Sequence, residues 1–389
     1  MKVSVLCFDV SDNAVGRAWL LARLLEPLGA VEIVGPRFGP AIWEPLAEES
    51  IPVRSLPGGR LPVFAARLPA LARMADGDLL YASKPRLTSA GIGYLARLAG
   101  HRPLLLDVDD WEVGFFLRGG RWGTVGRALN LSNPTGLTWT WLMERMMGLA
   151  DGVTVASRFL ERRFGGVLIP HVRDTDRWAP GRVDPEPARE RLGVDKERVV
   201  MFLGTPRAYK GVQDLAAAVA RIGRSDVVLA LVGTDPDSET GRTVIAQHPG
   251  TRLIGRVPIA QVPAYLGAAD VVVVPQRDSS DTRGQVPAKL FDAMALGRPI
   301  VSTRVSMIPE ILEGCGLLVQ PGDVAGLAGA IARLLDRPDE ARALGEAARR
   351  RAVERYSFET ARAALFPLVE RVRARRSRPG PRPHPRPPQ

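Results

Sequence analysis

Short β-branched runs alternate with amphipathic stretches of helical period along almost the whole chain, and this alternation limits the available folds more than any other feature. Val3-Ser4-Val5-Leu6-Cys7-Phe8 reads as a strand, the stretch carrying Val15, Ala18, Trp19, Ala22 and Leu25 as a helix, and Val31-Glu32-Ile33-Val34 as the next strand. Further strands are predicted at 78–82, 103–108 and 152–156. A second series starts at Arg198-Val199-Val200-Met201-Phe202-Leu203-Gly204, continues through a helical stripe of Val212, Leu215, Val219 and Ile222, and adds strands at 226–233, 269–275, 300–302 and 316–319. Strands joined by helical crossovers lie parallel, and a parallel sheet is covered on both faces, so its strands read as unbroken apolar runs. The proline-rich, apolar-poor segment from Pro170 to Pro187 separates the two series and reads as a linker. An α/β chain of two domains, with parallel sheets facing a ligand cleft, is therefore expected.

Composition agrees. A chain of 389 residues is too long for one ordinary core, and 46% hydrophobic with 24% charged content describes globular material. No apolar run is long enough to cross a membrane, and Met1-Lys2 leads straight into a strand, so a cytoplasmic location is expected. Cys7 and Cys315 are too few for a disulfide framework or a thiolate metal site; His101, His171, His248 and His384 lack metal-type spacing. The net charge of +11 is concentrated at the end, where seven arginines fall among prolines in the last nineteen residues. That tail is expected to be disordered, either as a solubilising segment or as one attracted to anionic lipid headgroups. No nucleic-acid motif accompanies the charge, so nucleic acid is not an expected partner.

Two segments carry the chemistry. Gln285-Val286-Pro287-Ala288-Lys289-Leu290-Phe291-Asp292 follows a strand and a polar loop, and it starts a helix that stops at Gly297-Arg298-Pro299. A helix start at the carboxyl edge of a parallel sheet is where open α/β folds bind ligands, and the free amides of Ala288 and Lys289 suit an anion. Asp292, one turn in, faces the positive end of the helix dipole and is expected to stay ionised and to accept hydrogen bonds from a ribose diol, with capping or solvation as the alternative. Lys289 either pairs with Asp292 or reaches a phosphate or sugar hydroxyl. The second segment, Gly204-Thr205-Pro206-Arg207-Ala208-Tyr209-Lys210-Gly211, also joins a strand to a helix, and Arg207 and Lys210 can converge there on a diphosphate. Asp278 and Asp281, in the loop between, are candidates for sugar hydroxyls or ordinary loop polarity.

Together with Gly255-Arg256-Val257-Pro258, Ala268-Ala269-Asp270, Ile308-Pro309-Glu310-Ile311 and Pro321-Gly322-Asp323, these segments resemble the retaining glycosyltransferases of the GT-B fold, specifically the large GT4-like family. The resemblance is strong from about Ala150 to Tyr356 and weaker before it. It implies two Rossmann-like domains: 1–175 on the acceptor side and 176–357 on the nucleotide-sugar side, with a helix over 358–372 returning to the first domain and an Arg/Pro-rich tail over 373–389. It implies transfer of a sugar from a UDP- or GDP-type donor with retention, no cofactor beyond that co-substrate, and no obligatory metal. Arg207 and Lys210 would stabilise the leaving diphosphate, while Gly204, Thr205, Arg256, Val257, Asp278, Asp281, Gln285, Pro287, Ala288, Lys289 and Asp292 would surround the donor.

Asp292 matches the second acid of the family's E-x7-E motif; the place of the first is Gly284. Pro287-Ala288-Lys289 matches the Pro-x-Lys variant found among related transferases without the first acid. In the first domain the family's glycine-rich loop corresponds to Asp9–Arg17, with Asp12, Gly16 and Arg17 as candidates. Its acceptor-side group corresponds to Asp107-Val108-Asp109-Asp110-Trp111-Glu112, where Asp109 or Asp110 would orient an acceptor hydroxyl or serve as a helix cap. Two stretches mix arginine with aromatic and aliphatic residues, Arg60–Leu68 and the region around Phe115, Phe116, Leu117, Arg118, Arg121 and Trp122. They suggest a glycan or lipid-linked acceptor in cell-envelope or polysaccharide synthesis and peripheral contact with an anionic membrane, helix packing being the alternative. The competing functions are a GT-B sugar-nucleotide 2-epimerase and a catalytically silent GT-B scaffold.

Overall fold

The computed structural model describes residues 1–117, 120–279, 282 and 284–377. Seven strands form the first sheet: β1 Lys2–Leu6, β2 Ala30–Arg37, β3 Val53–Pro57, β4 Leu79–Ser83, β5 Leu104–Val108, β6 Gly152–Val155 and β7 Val167–Leu168. Their order is β3-β2-β1-β4-β5-β6-β7. Six strands form the second: β8 Arg198–Leu203, β9 Val227–Val232, β10 Arg252–Ile254, β11 Val271–Val274, β12 Ile300–Thr303 and β13 Leu317–Val319, in the order β10-β9-β8-β11-β12-β13. All pairings are parallel, with Val5 opposite both Ile33 and Tyr81 and Val200 opposite both Leu229 and Val271. Each sheet therefore reverses its winding once, between β1 and β4 and between β8 and β11, and opens a crevice at the carboxyl ends of those strands.

The central strands β4, β5, β9, β11 and β12 are buried at every position, which is why they lack polar alternation. Three strands, β3, β7 and β10, are absent from the sequence-based assignment, and all three are sheet edges. Their exposed or half-buried residues leave no apolar run to read. The first strand ends at Leu6 rather than Phe8, although Cys7 N still donates to Val34 O at 2.9 Å. The basic stretch from Arg60 enters a helix, Val63–Met74, whose Phe64, Leu71 and Ala72 are buried. The expected linker is short of apolar residues but not solvated, since Val172, Thr175 and Trp178 are buried.

The helix Val15–Leu25 buries nine of its eleven residues because it is covered on two sides, by the first sheet and by the final helix Phe358–Ser377. Arg362 of that final helix donates to Leu24 O at 3.1 Å and Arg23 O at 3.0 Å. One apolar cluster runs from Val5, Trp19 and Tyr81 through Trp178, Phe291 and Tyr356 to Leu365, joining the two sheets' cores through the junction.

Arg17, in the first turn of Val15–Leu25, makes a two-pronged ion pair with Asp107 at the end of β5, at 2.9 and 2.8 Å, and donates also to Ile169 O at 2.7 Å and Pro170 O at 3.1 Å. Both side chains are almost inaccessible, 2% and 0% exposed. Removing one partner of such a pair strands the other charge in the core. Arg17→Met is expected to lower the stability of the first domain by about 3–5 kcal/mol, read as a lower urea midpoint, and the double change Arg17→Met/Asp107→Leu should recover most of the loss.

Candidate functional site

A cavity of about 340 Å³ lies between the carboxyl edges of the two sheets. From the second domain it is reached by the loops after β8 and β11 and by the start of the helix Ala288–Ala295. Gly204 turns the chain directly after β8 with a φ of +112°, and a Cβ there would lie 3.2 Å from Lys289 Nζ. Gly211, at φ +65°, closes the loop so tightly that a Cβ would sit 1.9 Å from Pro275 O. The backbone thus comes close to the helix start, as a phosphate cradle requires.

Two lysines gather at this spot, neither hydrogen-bonded to a carboxylate. Lys210 Nζ donates to Thr205 O at 2.6 Å, and burial, then the like charge of Arg207, pushes its pKa down to about 8. Lys289 Nζ lies 3.6 Å from the centroid of the Phe202 ring, is enclosed, and has no hydrogen-bond partner. Burial first and Lys210 second hold its pKa well below that of an ordinary lysine. Pro287 precedes the helix and no side chain caps it, which leaves the first amides directed at the same space. Gln276 Nε2, on the cavity wall, is also buried without an acceptor.

The first-domain wall has the opposite character. Lys84, just after β4, places its ammonium 2.8 Å from Asp109 Oδ1, 2.9 Å from Asp110 Oδ2 and 2.7 Å from Glu112 Oε1. Arg86 holds the other oxygen of Glu112, with its Nε at 2.8 Å. Burial raises the Asp110 pKa to about 6, with Asp109 and Glu112 adding to the rise and Lys84 opposing it. Burial also works against the charge of Glu112, yet Arg86 and Lys84 keep its carboxyl below the usual range. Asp109, Asp110 and Glu112 bring oxygens within 4.8 Å of one another, as a metal site would. The ammonium of Lys84 already stands among them and supplies the positive charge that an ion would bring.

The junction closes the cavity. His171 lies on its wall as the neutral imidazole, because burial and then Arg17, Arg173 and Lys84 all disfavour a further positive charge. Arg173 forms an ion pair with Asp292 through its Nε. Asp292 is therefore not a solvated carboxylate at a helix start: burial raises its pKa, and Arg173 and Lys289 oppose the rise.

The structure brings most of the sequence-derived candidates to this one cavity. Gly16, Arg17, Asp109 and Asp110 line it from the first domain; Gly204, Thr205, Lys210, Arg256 and Val257 line it from the second, with Gln285, Pro287, Ala288, Lys289 and Asp292 at the helix start. Arg17 is committed to Asp107 and the junction carbonyls, so its guanidinium shapes the wall and is not free for a substrate. Three candidates stand apart: Asp12, Arg207 and Asp278 are exposed and do not line the cavity. Asp281 and Arg118 fall outside the described residues, as do the side chains of Arg121 and Trp122. Lys84, His171, Arg173, Phe202 and Gln276 were missed as site residues. Lys84 had a readable signal, a cation directly after a predicted strand end, whereas nothing local marks Phe202 or Gln276.

Comparisons with known proteins give the family and the fold. Residues 197–337 match the family described as Glycosyl transferases group 1. The GDP-mannose-dependent alpha-(1-6)-phosphatidylinositol monomannoside mannosyltransferase of Mycolicibacterium smegmatis is 30% identical over 298 residues, 72% of each chain. The MMP alpha-(1->4)-mannosyltransferase of Mycolicibacterium hassiacum is 33% identical over 50% of this chain and 48% of its own. Among solved structures, sucrose-phosphate synthase from Thermosynechococcus elongatus superposes with a TM-score of 0.73 at 21% identity, covering 96% of this chain and all of that one. Anabaena HepE in complex with UDP-glucose does so with a TM-score of 0.72 at 20% identity, covering 95% of this chain and 100% of its own. The chain belongs to the group 1, GT4-like glycosyltransferases and has their GT-B fold.

Proposed function

We propose that this enzyme moves a hexosyl group, with retention, from a nucleoside-diphosphate sugar to a glycan or lipid-linked acceptor at a membrane surface, and that GDP-mannose is its donor. The buried amine of Lys289, without a hydrogen-bond partner and beside Lys210, is the observation that carries the reading, because burial and mutual repulsion disfavour both positive charges and a bound anion would relieve that cost. A diphosphate at the amides of Ala288 and Lys289 supplies that anion. The GDP-mannose-dependent mannosyltransferase among the relatives supports GDP-mannose over a UDP-sugar. Asp292, held by Arg173, keeps a second oxygen for the ribose.

In this reading the bond from the sugar C1 to the diphosphate oxygen breaks, and its electron pair leaves on the diphosphate, whose charge Lys210 and Lys289 offset. The acceptor oxygen bonds to C1 from the same face while its proton passes to Asp110. Asp110 and Lys210 are near enough across the cleft for the carboxylate to favour the lysine's charge, which supports attack and departure on one side. No metal is needed for this charge balance.

The first domain carries the proposed membrane contact. Leu98 and Leu129, each about three-quarters exposed, and Leu131, Leu149 and Trp141, also exposed, lie on or beside first-domain helices, of which Gly120–Leu129 packs against Leu137–Arg145. Arg145 lies 5.1 Å from the centre of the Trp141 ring. Leu61 N donates to Ser132 O at 2.8 Å, joining the first basic-apolar stretch to the turn after the helix Gly120–Leu129. Aromatic and aliphatic tips flanked by arginines suit an anionic interface.

Incubation with labelled GDP-mannose, UDP-glucose and UDP-N-acetylglucosamine, with and without bacterial membranes, tests the function. Label from GDP-mannose should enter a membrane lipid; interconversion of the free nucleotide sugar would indicate an epimerase, and binding without turnover a silent scaffold. Calorimetry with GDP tests the clamp. Lys289→Ala or Lys210→Ala is expected to weaken binding about 10- to 100-fold. Because the anion favours protonated lysines, GDP affinity should be full below pH 7 and fall as the pH rises through about 8, the midpoint of free Lys210. Co-sedimentation with phosphatidylglycerol vesicles should show the wild type bound and Leu129→Asp/Trp141→Asp released, with GDP affinity unchanged in that variant.

A further inference from the structure

The mechanism above uses Asp110 and leaves Lys84 unassigned. Lys84 is unusual in two respects. Its backbone has a φ of +73°, a conformation that side-chain-bearing residues rarely adopt. That conformation is held by three hydrogen bonds, from Lys84 N to Asp107 O at 2.9 Å and to Lys84 O from Arg86 N at 2.9 Å and Ser89 Oγ at 2.7 Å. Its ammonium, 8% exposed, sits among three carboxylates on one loop, two of which line or back the cavity. The three carboxylates are not equivalent. Glu112 has Arg86 as a second cation, whereas Asp110, the most exposed of the three, has Lys84 as its only hydrogen-bonded one among the described residues.

We propose that Lys84 is a positioning residue for acceptor activation: its ammonium fixes the Asp110 carboxylate toward the cleft and keeps it ionised so that it can accept the acceptor's proton. This rests on the acceptor role given to Asp110 above. The charge arithmetic is local. Asp110 is faced by Lys84 from the β4 loop, by Asp109 and Glu112 from its own loop, and by Lys210 from the second domain. Arg86 is engaged by Glu112, and His171, which feels Lys84, is neutral. Without Lys84, two neighbouring acids and burial would act on Asp110 with Lys210 alone in opposition, and the carboxyl would carry its proton at neutral pH. A protonated Asp110 can donate a hydrogen bond to the acceptor oxygen but cannot take its proton.

Two measurements separate this proposal from the reading beneath it. The first is transfer from GDP-mannose to the membrane acceptor as a function of pH. Wild type should lose kcat on the acid side with a midpoint of about 6. Lys84→Gln should move that limb upward by at least about one pH unit and lower kcat at neutral pH about tenfold, with donor KM within about twofold, and Lys84→Arg should restore both. The second needs no substrate: infrared difference titration, with Asp110→Asn as the reference, follows the Asp110 carboxyl and should show its midpoint raised in Lys84→Gln. Should Lys84→Gln fail to fold, Asp109→Asn replaces it, and relief from one like charge should move both midpoints downward. If Asp110→Asn itself keeps wild-type kcat, the acceptor role falls while the infrared result still reports on the clamp. If Asp110→Asn abolishes turnover but neither midpoint moves in the Lys84 or Asp109 variant, or if Lys84→Gln raises donor KM in step with the loss of kcat, the assignment of Lys84 is overturned.

Discussion

Arg173 stands where the chain crosses between the domains twice, and the geometry of the cleft depends on it. Its N–H donates to Tyr356 O at 3.0 Å and its carbonyl accepts from Phe358 N at 2.9 Å, so the outgoing linker and the returning helix are stitched together at one residue. Its side chain then reaches Asp292 on the donor helix. Beneath lies an aromatic contact, with the Phe291 and Tyr356 rings 4.9 Å apart edge to face and His171 tilted over Phe291 at 6.4 Å. Backbone bonds, an enclosed ion pair and aromatic packing meet in one place between the two sheets. The helix Ala288–Ala295 is therefore tied to the junction by the same residue that joins the linker to the returning helix.

The two walls of the cavity differ in how their charges are met. On the first-domain wall every cation has a carboxylate: Arg17 has Asp107, Arg86 has Glu112, and Lys84 has three acids. On the second-domain wall Lys210 has a carbonyl and Lys289 an aromatic face. Uncompensated positive charge in an enclosed site favours an anion strongly, while a balanced polar wall favours neutral hydroxyls with specific hydrogen bonds. In the proposed function this difference sorts the two substrates before any contact specific to the sugar is made, with the donor's diphosphate assigned to the second domain and an uncharged acceptor group to the first.

The parallel architecture was legible because buried strands must be continuously apolar and their crossovers must be amphipathic. Edge strands such as Val53–Pro57 escaped for the complementary reason, since half-exposed residues carry no such signature. At the cavity, the positions of Gly204, Lys210 and Lys289 were legible because a strand-to-helix turn at a sheet's carboxyl edge is a local relation. What could not be read was partnership across the chain. Asp292 looks free in the sequence and is paired with a residue 119 positions away. Arg17 looks available for a substrate and is committed 90 positions away to Asp107. Arg207 has the right charge in the right loop, yet it points to solvent. Three-dimensional pairing decides which polar side chains remain free for chemistry, and one sequence does not contain it.

Gly284 shows how such a pairing can replace a residue. At the place where the family carries its first acid, a Cβ would lie 3.0 Å from Phe159 Cδ1 and 3.4 Å from Trp111 Cβ, both from the first domain. The carbonyl of Gly284 accepts from Ser157 Oγ at 3.1 Å, so the two domains touch here through backbone and aromatic rings. Trp111 and Phe159 pack with centroids 6.1 Å apart, and Arg163 lies over the Trp111 ring at 4.4 Å. In this arrangement a glutamate would have to displace that cluster or turn away from it. The missing acid is thus matched by first-domain aromatics that occupy its space, and the loop keeps its place at the cleft without it. The side chains that do line the cavity near this point are Gln285 and Lys289 from the helix side and Asp110 from across the cleft.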